Sequence, residues 1–476
     1  MRPQVMSTRL VLCWLCGAKV SFFALAEEAA LQQQCVSGGC ESELDMSSDA
    51  SWLIQLPIAK DMLPKKASFA GENGSVVQNT SSSPAPAPVE HPIQGTLTLD
   101  HFRQHGSGEC YSRASRNQWA VVDAHLHTRP FGGPPVPFKE LIGRLQRAGV
   151  LFASMYGIGQ RLPIDSPCTY YLDCPGTPIR SSLKNDFWNA QEVLDNAETL
   201  NTSLGPHLTL SMSFLNLSEP ESVLSNIELL DKEFPNLFHQ MGELNVVKQA
   251  LFKNDAGLPV PIEKIKEWGP FMQVAKERGL PIGFHSDLGN DKDAKKYLSL
   301  IDEILRLYPE NKIIWLHLGG LSKQLDPLAA ALLSIPIYVP EHIKLLEERL
   351  EQHQNLMIDL SWDVLYDDLF KDPAKRDDYV SLFNKYPTRF IPGSDHVAAA
   401  SKTEEGWHAE LERTNDIYRS LSDDAFRRIA LGQNYIELLG LKYTAPQLCS
   451  GAAPRSRLLQ GGSAVFVGLV ELWLLL

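Results

Sequence analysis

From residue 121 to residue 441 the chain repeats one unit. A short apolar run rich in β-favouring residues is followed by a stretch with apolar residues at helical spacing. Eight such units occur in a row. Strands are expected at 121–127, 151–156, 208–214, 237–244, 281–285, 313–318, 356–360 and 390–392. Helices are expected at 138–148, 184–200, 219–233, 262–278, 292–307, 340–353 and about 377–385, with 404–439 holding the closing helices. Strands separated by helical crossovers pair in parallel. These runs are almost continuously apolar, as strands covered on both faces require. Eight is the number that closes a barrel, so the expected fold class is α/β, a (β/α)8 TIM barrel. An open doubly wound sheet would carry a glycine-rich phosphate loop after its first strand. Here His125-Leu126-His127-Thr128-Arg129-Pro130 stands in that place.

The chain has 476 residues, and the ends lack the repeat. Residues 1–26 carry Arg2 and Arg9 before a mostly apolar run ending Ala24-Leu25-Ala26, the pattern of a secretory signal peptide, although Lys19 interrupts the run. Residues 27–118 are expected to be a low-complexity, disordered arm; residues 80–88 read TSSSPAPAP. A short helix is expected near 99–104 and steady order from Trp119. The catalytic domain is placed at 119–443. Residues 444–476 combine the small triplet Ser450-Gly451-Ala452, a spacer with Arg455 and Arg457, and a terminal apolar tail interrupted by Glu471. That is the pattern of a GPI-anchor signal, so the membrane would be reached through a lipid. The close pairs Cys35/Cys40 and Cys168/Cys174 fit disulfides of an oxidising compartment, and sequons at Asn73, Asn79, Asn201 and Asn216 agree with export. A net charge of −13 argues against a nucleic-acid partner, which needs a basic face to offset phosphate. Nothing in the sequence bears on oligomeric state.

Active sites of such barrels lie at the C-terminal ends of the strands. On a strand, residues i and i+2 share a face, so His125 and His127 project together as half of a metal site. The fourth run ends at Glu243, the fifth at His285, the sixth at His317, the seventh at Asp359-Leu360-Ser361 and the eighth at Ser394-Asp395-His396. Metal-ligand residue types thus recur at one edge of the expected sheet. Asp123 reads as structural, His396 as a neighbour pointing away. Arg129, Tyr156, Arg161 and Trp362 are candidates to line a substrate pocket. The connection 157–182, with its prolines, Tyr170 and the Cys168/Cys174 pair, is a candidate lid or wall. His207, His239, His342, His353 and His408 fall away from the strand ends and read as surface or helix residues.

With these residues in view, residues 121–441 resemble the amidohydrolase superfamily, in its amidohydrolase-related branch. The likeness is carried by Asp123-Ala124-His125-Leu126-His127, His285, His317, Asp395 and the closing Ala430-Leu431-Gly432-Gln433-Asn434 with Leu438-Leu439-Gly440-Leu441. The resemblance implies that His125, His127, His285 and Asp395 hold a divalent metal, and that His317 is a second-metal ligand or polarises the substrate. Zn2+ suits three imidazoles and a carboxylate. Metal-activated water would then attack, with Asp395 as its proton acceptor. Two-metal members often carry a bridging modified lysine on strand four, where this chain has Glu243; that residue is either a bridge or a partner orienting a histidine. The expected function is a metal-dependent hydrolase of an amide, ester or lactone bond in a small molecule. Non-oxidative decarboxylation of a small carboxylic acid, with Arg129 or Arg161 on the carboxylate, is the first alternative. A non-catalytic cell-surface binding protein is the second.

Overall fold

The computed structural model describes residues 91–449 apart from 94, 104–107, 115–119, 164–165, 291 and 321–340. All lie within the unit Pro84–Leu476. The expected signal peptide, the Cys35/Cys40 pair, Trp119 and the C-terminal apolar tail fall outside the described residues.

Eight parallel strands form the centre: β1 (Val122–His127), β2 (Phe152–Tyr156), β3 (His207–Met212), β4 (Phe238–Val247), β5 (Ile282–Ser286), β6 (Ile313–Trp315), β7 (Leu356–Leu360) and β8 (Phe390–Pro392). They pair in sequence order, β8 at one end and β1 at the other, and a short strand, His396–Val397, lies beside β1. The segment 390–397 therefore pairs with β7 through Phe390↔Ile358 and with β1 through Leu126↔His396. One run of eight residues bridges both edges of the curled, all-parallel sheet. β1, β2 and β5 are buried at every position, which explains their unbroken apolar runs.

Where an expected element differs, the backbone gives the reason. The sixth strand stops at Trp315, because His317 and Leu318 turn into the left-handed region at φ 58° and 53°. The long expected helix at 262–278 is a 3-10 segment, Ile262–Trp268, running into an α-helix, Gly269–Glu277. The closing region is three helices, Glu404–Arg419, Asp423–Ile429 and Gln433–Leu439. Ser422 caps the second by accepting from the Ala425 amide. Gly432, at φ 77°, starts the third; a Cβ there would sit 2.3 Å from Val122 Cγ2.

The expected arm also needs correction. Ile93, Leu97, Leu99, Phe102 and Tyr111 are buried members of the main core. The short helix expected near 99–104 is a 3-10 turn, Leu99–Phe102. Phe102 packs edge-on against Phe152 at the start of β2, 5.2 Å between ring centres. Thr444 N donates to Phe102 O, and Tyr111 N to Gln447 O. A disulfide, Cys110–Cys449, ties these two segments with 4.9 Å between Cα atoms. The apolar side chains cover the N-terminal ends of the strands, which would otherwise meet water. The sequence hides this, since Cys110 and Cys449 lie 339 residues apart. The Cys168–Cys174 bond is present as expected. Among the described residues, no helix is long and apolar enough to cross a membrane.

His342 is in a helix, His342–Gln352, but is buried rather than on the surface. Its Nδ1 lies 2.7 Å from the Tyr379 hydroxyl, and burial pushes its pKa down to about 4.

Two outcomes follow. Phe102→Ala should cost about 3–5 kcal/mol of stability in denaturant titrations, whereas exposed Leu204→Ala should cost almost nothing. The His342 contribution has a definite sign. Between an unfolded pKa near 6.5 and the folded value of about 4, the unfolded chain takes up a proton that the folded chain refuses. Stability should be full above that window and decline as pH falls through it, by up to about 3 kcal/mol. His342→Gln should flatten that acid-side decline relative to wild type.

Candidate metal centre

β1 alternates, so His125 and His127 share a side while Leu126 packs on the other. Both histidines are buried. His125 Nδ1 lies 2.8 Å from Asp359 Oδ2, and His127 Nδ1 lies 3.2 Å from Gly157 O. A carboxylate and a carbonyl can only accept, so each Nδ1 carries the proton and each Nε2 a lone pair. The two Nε2 atoms face each other at 3.2 Å. Asp395 Oδ1 is 3.5 Å from the first and 3.2 Å from the second, and Glu243 Oε2 is 3.4 Å from His127 Nε2. Four acceptors converge with no protein donor among them, and this donor set fits a divalent cation. Burial opposes positive charge on His127, yet Asp395 and Glu243 outweigh it and push its pKa up to about 9, so the two carboxylates draw positive charge into the cluster: a proton on Nε2, or a cation in its place that leaves Nε2 its lone pair. The same histidines hold the Asp395 carboxyl well below the usual range against the opposing effect of burial.

Asp395 reaches the site through a strained turn at φ 56°. Its amide donates to His125 O at 2.8 Å. Asp123 accepts from Ser394 N at 2.9 Å and from Ser394 Oγ at 2.6 Å, so it pins the turn. Burial raises Asp123 to about 6.

Glu243 joins this group to a second. Its Oε1 is 2.5 Å from His285 Nδ1, 3.5 Å from His317 Nε2 and 2.7 Å from the Lys248 ammonium. His285 Nε2 meets Asp287 Oδ1 at 3.2 Å. The structure therefore brings together His125, His127 and Asp395 as one possible ligand triad, and Glu243, His285 and His317 as another. The expected fourth ligand, His285, stands with Glu243 instead of with the β1 pair.

Asp359 and Ser361, at i and i+2 on the end of β7, order the histidines. Ser361 Oγ donates to Asp359 at 2.9 Å and lies 2.8 Å from His317 Nδ1. Because Asp359 takes the hydroxyl proton, Ser361 must accept from His317 Nδ1–H, which leaves Nε2 as an acceptor. That atom is buried without a hydrogen-bond partner. Asp359 also accepts from the His317 amide at 2.5 Å. The strand-seven polar pair was visible in the sequence, and its spacing was the available signal. Lys248 had none, since it follows β4 in irregular chain.

The pocket candidates separate. Tyr156 stacks beneath His125, 4.4 Å between ring centres, and is buried. Trp362 stands over His317 at 5.0 Å and His285 at 6.0 Å. Arg129 pairs with Glu192 at 3.2 Å. Arg161 lies on a short ribbon, Gln160–Arg161 against Arg180–Ser181, within the connection expected to form a wall. His396 points away from the site and packs against Trp407, 5.0 Å between ring centres.

No family model matches the chain. A curated plant protein, the E3 ubiquitin-protein ligase HOS1 of Arabidopsis thaliana, is 30% identical over 115 residues, 23% of this chain. The chain spans only 12% of that protein's length. Solved structures it is similar to include Amidohydrolase 2 from Bifidobacterium longum subsp. infantis, at 13% identity over 68% of this chain and 100% of that one, with TM-score 0.36. A 2,6-dihydroxybenzoate decarboxylase from Rhizobium has 11% identity, 68% and 99% coverage and TM-score 0.36. An L-hydantoinase from Arthrobacter aurescens has 9% identity, 71% and 74% coverage and TM-score 0.38.

Metal analysis tests the donor set. Purified protein should carry a divalent metal, and His125→Ala/His127→Ala should lose at least nine-tenths of it. Equal metal in both proteins would rule out this cluster as the site.

Proposed function

We propose that the chain is a metal-dependent hydrolase on a closed (β/α)8 barrel, cleaving an amide, ester or lactone bond of a small molecule. The observation that supports this best is the convergence of the two Nε2 lone pairs with Asp395 and Glu243 at one edge of the sheet. A bound divalent cation, Zn2+ by the nature of the donors, supplies Lewis acidity and lowers the pKa of water toward ~7. His125, His127 and Asp395 would hold it, with Glu243 Oε2 alongside.

The chain's own groups handle the proton. Asp395 has 12% of its side chain exposed, against 0–5% for His125, His127 and Glu243, so it is the member nearest the opening. Its carboxylate takes the proton from the attacking water and returns it to the leaving nitrogen or oxygen. His317 Nε2, an acceptor fixed by Ser361 and Asp359, orients that water. Trp362 walls the substrate side. Lys248 places an ammonium 2.7 Å from Glu243 Oε1, on the His285 and His317 side where a second cation would sit. We infer one metal ion per chain, with His285 acting as a partner that orients Glu243.

Decarboxylation at the same centre is the second reading. It is favoured by Arg161, which has no carboxylate partner among the described residues and suits an acidic substrate. For location, we propose export and a GPI anchor; the two disulfides support an oxidising compartment. Phosphatidylinositol-specific phospholipase should release the protein from intact cells, and persistence on the membrane would sink the anchor.

Assays on amides, esters and lactones at neutral pH, with carbon dioxide release followed in parallel, separate the two chemistries. His317→Gln should lower kcat by about 10²–10⁴-fold while metal content stays at one ion per chain. Two tightly held ions in wild type would refute the role given to Lys248.

A further inference from the structure

The connection after β2 carries charge that the metal centre does not explain. In the ribbon Gln160–Arg161/Arg180–Ser181, Arg161 stands directly opposite Arg180. Like charges at facing positions of an antiparallel pair repel. No carboxylate lies within 4.0 Å of either guanidinium among the described residues, and Arg161 Nε is buried with no hydrogen-bond partner. Arg129 adds to the positive charge: its guanidinium and that of Arg161 lie 4.9 and 4.8 Å from the ring centre of the exposed Trp188. Among the described residues, only Arg129 of this group has an acidic partner, Glu192.

A cleft of about 460 Å3 opens beside the ribbon. Arg161, Arg180, Lys184, Ser181 and Ser182 supply its polar lining, Leu162 and Pro178 part of its apolar lining, and among the described residues no acidic one lines it. The helix Lys184–Asp195 begins at its edge, and Ser182 Oγ accepts from the Lys184 amide, leaving its own hydroxyl proton to donate. Apolar walls with a few convergent donors, at this volume, suit a small organic molecule. On a chain of net charge −13, three cations around one cleft with no counter-charge among the described residues form an exception.

We propose that this cleft binds the carboxylate or phosphate group of a small organic anion, with Arg161 and Arg180 as its paired donors. The anion relieves the repulsion across the ribbon and fills donors the fold leaves unused. None of the cleft's lining residues belongs to the metal cluster, so the proposal does not rest on the hydrolase reading, although the decarboxylase reading draws on the same Arg161.

The full chain, stripped of metal with chelator, is titrated by calorimetry with inorganic phosphate and with succinate at constant ionic strength. Saturable one-site binding of at least one probe is expected, and the tighter probe identifies the group. Arg161→Gln and Arg180→Gln should each weaken it at least fivefold, and the surface control Lys232→Gln should leave it unchanged. Arg180 is exposed, so its variant keeps the test open if loss of Arg161 disturbs folding. No saturable binding of either probe in wild type would overturn the proposal, as would a loss below fivefold in Arg180→Gln or an equal loss in Lys232→Gln. Because metal is absent throughout, failure here leaves the hydrolase reading untouched, and failure of that reading leaves this result standing.

Discussion

Two imidazole nitrogens with their lone pairs turned toward each other at 3.2 Å make an unfavourable arrangement unless something positive lies between them. Two carboxylate oxygens close on the same space. The rest of the site is organised to enforce this. Asp359 and the Gly157 carbonyl lock the Nδ1 protons outward, Asp123 pins the turn that delivers Asp395, and burial removes the water that would relieve the crowding. A fold that spends hydrogen bonds to aim acceptors at one another offers a donor set that could hold a cation.

The sheet topology makes that aim possible. The residues involved come from β1, β4, β5, β7 and the segments after β6 and β8, widely separated in sequence, and the curled parallel sheet brings those ends into one place. The bridging segment 390–397 does two things at once. It joins the outer strands, and at its unpaired middle, where Asp395 adopts a positive φ, it swings a carboxylate over the strand ends. At the opposite end, Phe102 packs on the start of β2 and the Cys110–Cys449 link holds its segment, so one end is covered and the other carries the histidine and carboxylate cluster.

How much of this was legible follows from the range of each interaction. The strand runs and the His125/His127 pair depend on local periodicity, and most strand ends were readable to within two residues, the fourth and sixth strands missing by three at their C-terminal ends. The sixth strand was read three residues too long, because the left-handed turn at His317 and Leu318 leaves no mark on hydropathy. The grouping of His285 with Glu243 was hidden, since Lys248, which polarises that choice, sits in irregular chain after β4. The sealing segment was missed for a compositional reason. Its few apolar residues are scattered among polar ones next to a Pro/Ser stretch, and only contact with the strand starts gives them a partner.

The connection after β2 ties these themes together. Gly157 O receives the His127 proton, Gly159 O receives the Ser182 amide, and the ribbon with its two arginines hangs between them. Asn254 fastens the far end by donating to Cys174 O and Thr177 O, both at 2.8 Å, and the Cys168–Cys174 bond shortens the loop. Gly159 is required there, for a Cβ would run into Ser213 O. Among the described residues the connection is thus anchored at several points along its length. The same segment carries both the carbonyl that orients His127 and the two facing arginines of the ribbon, so the geometry of the strand-one histidines and the charge beside the cleft are set by one stretch of chain.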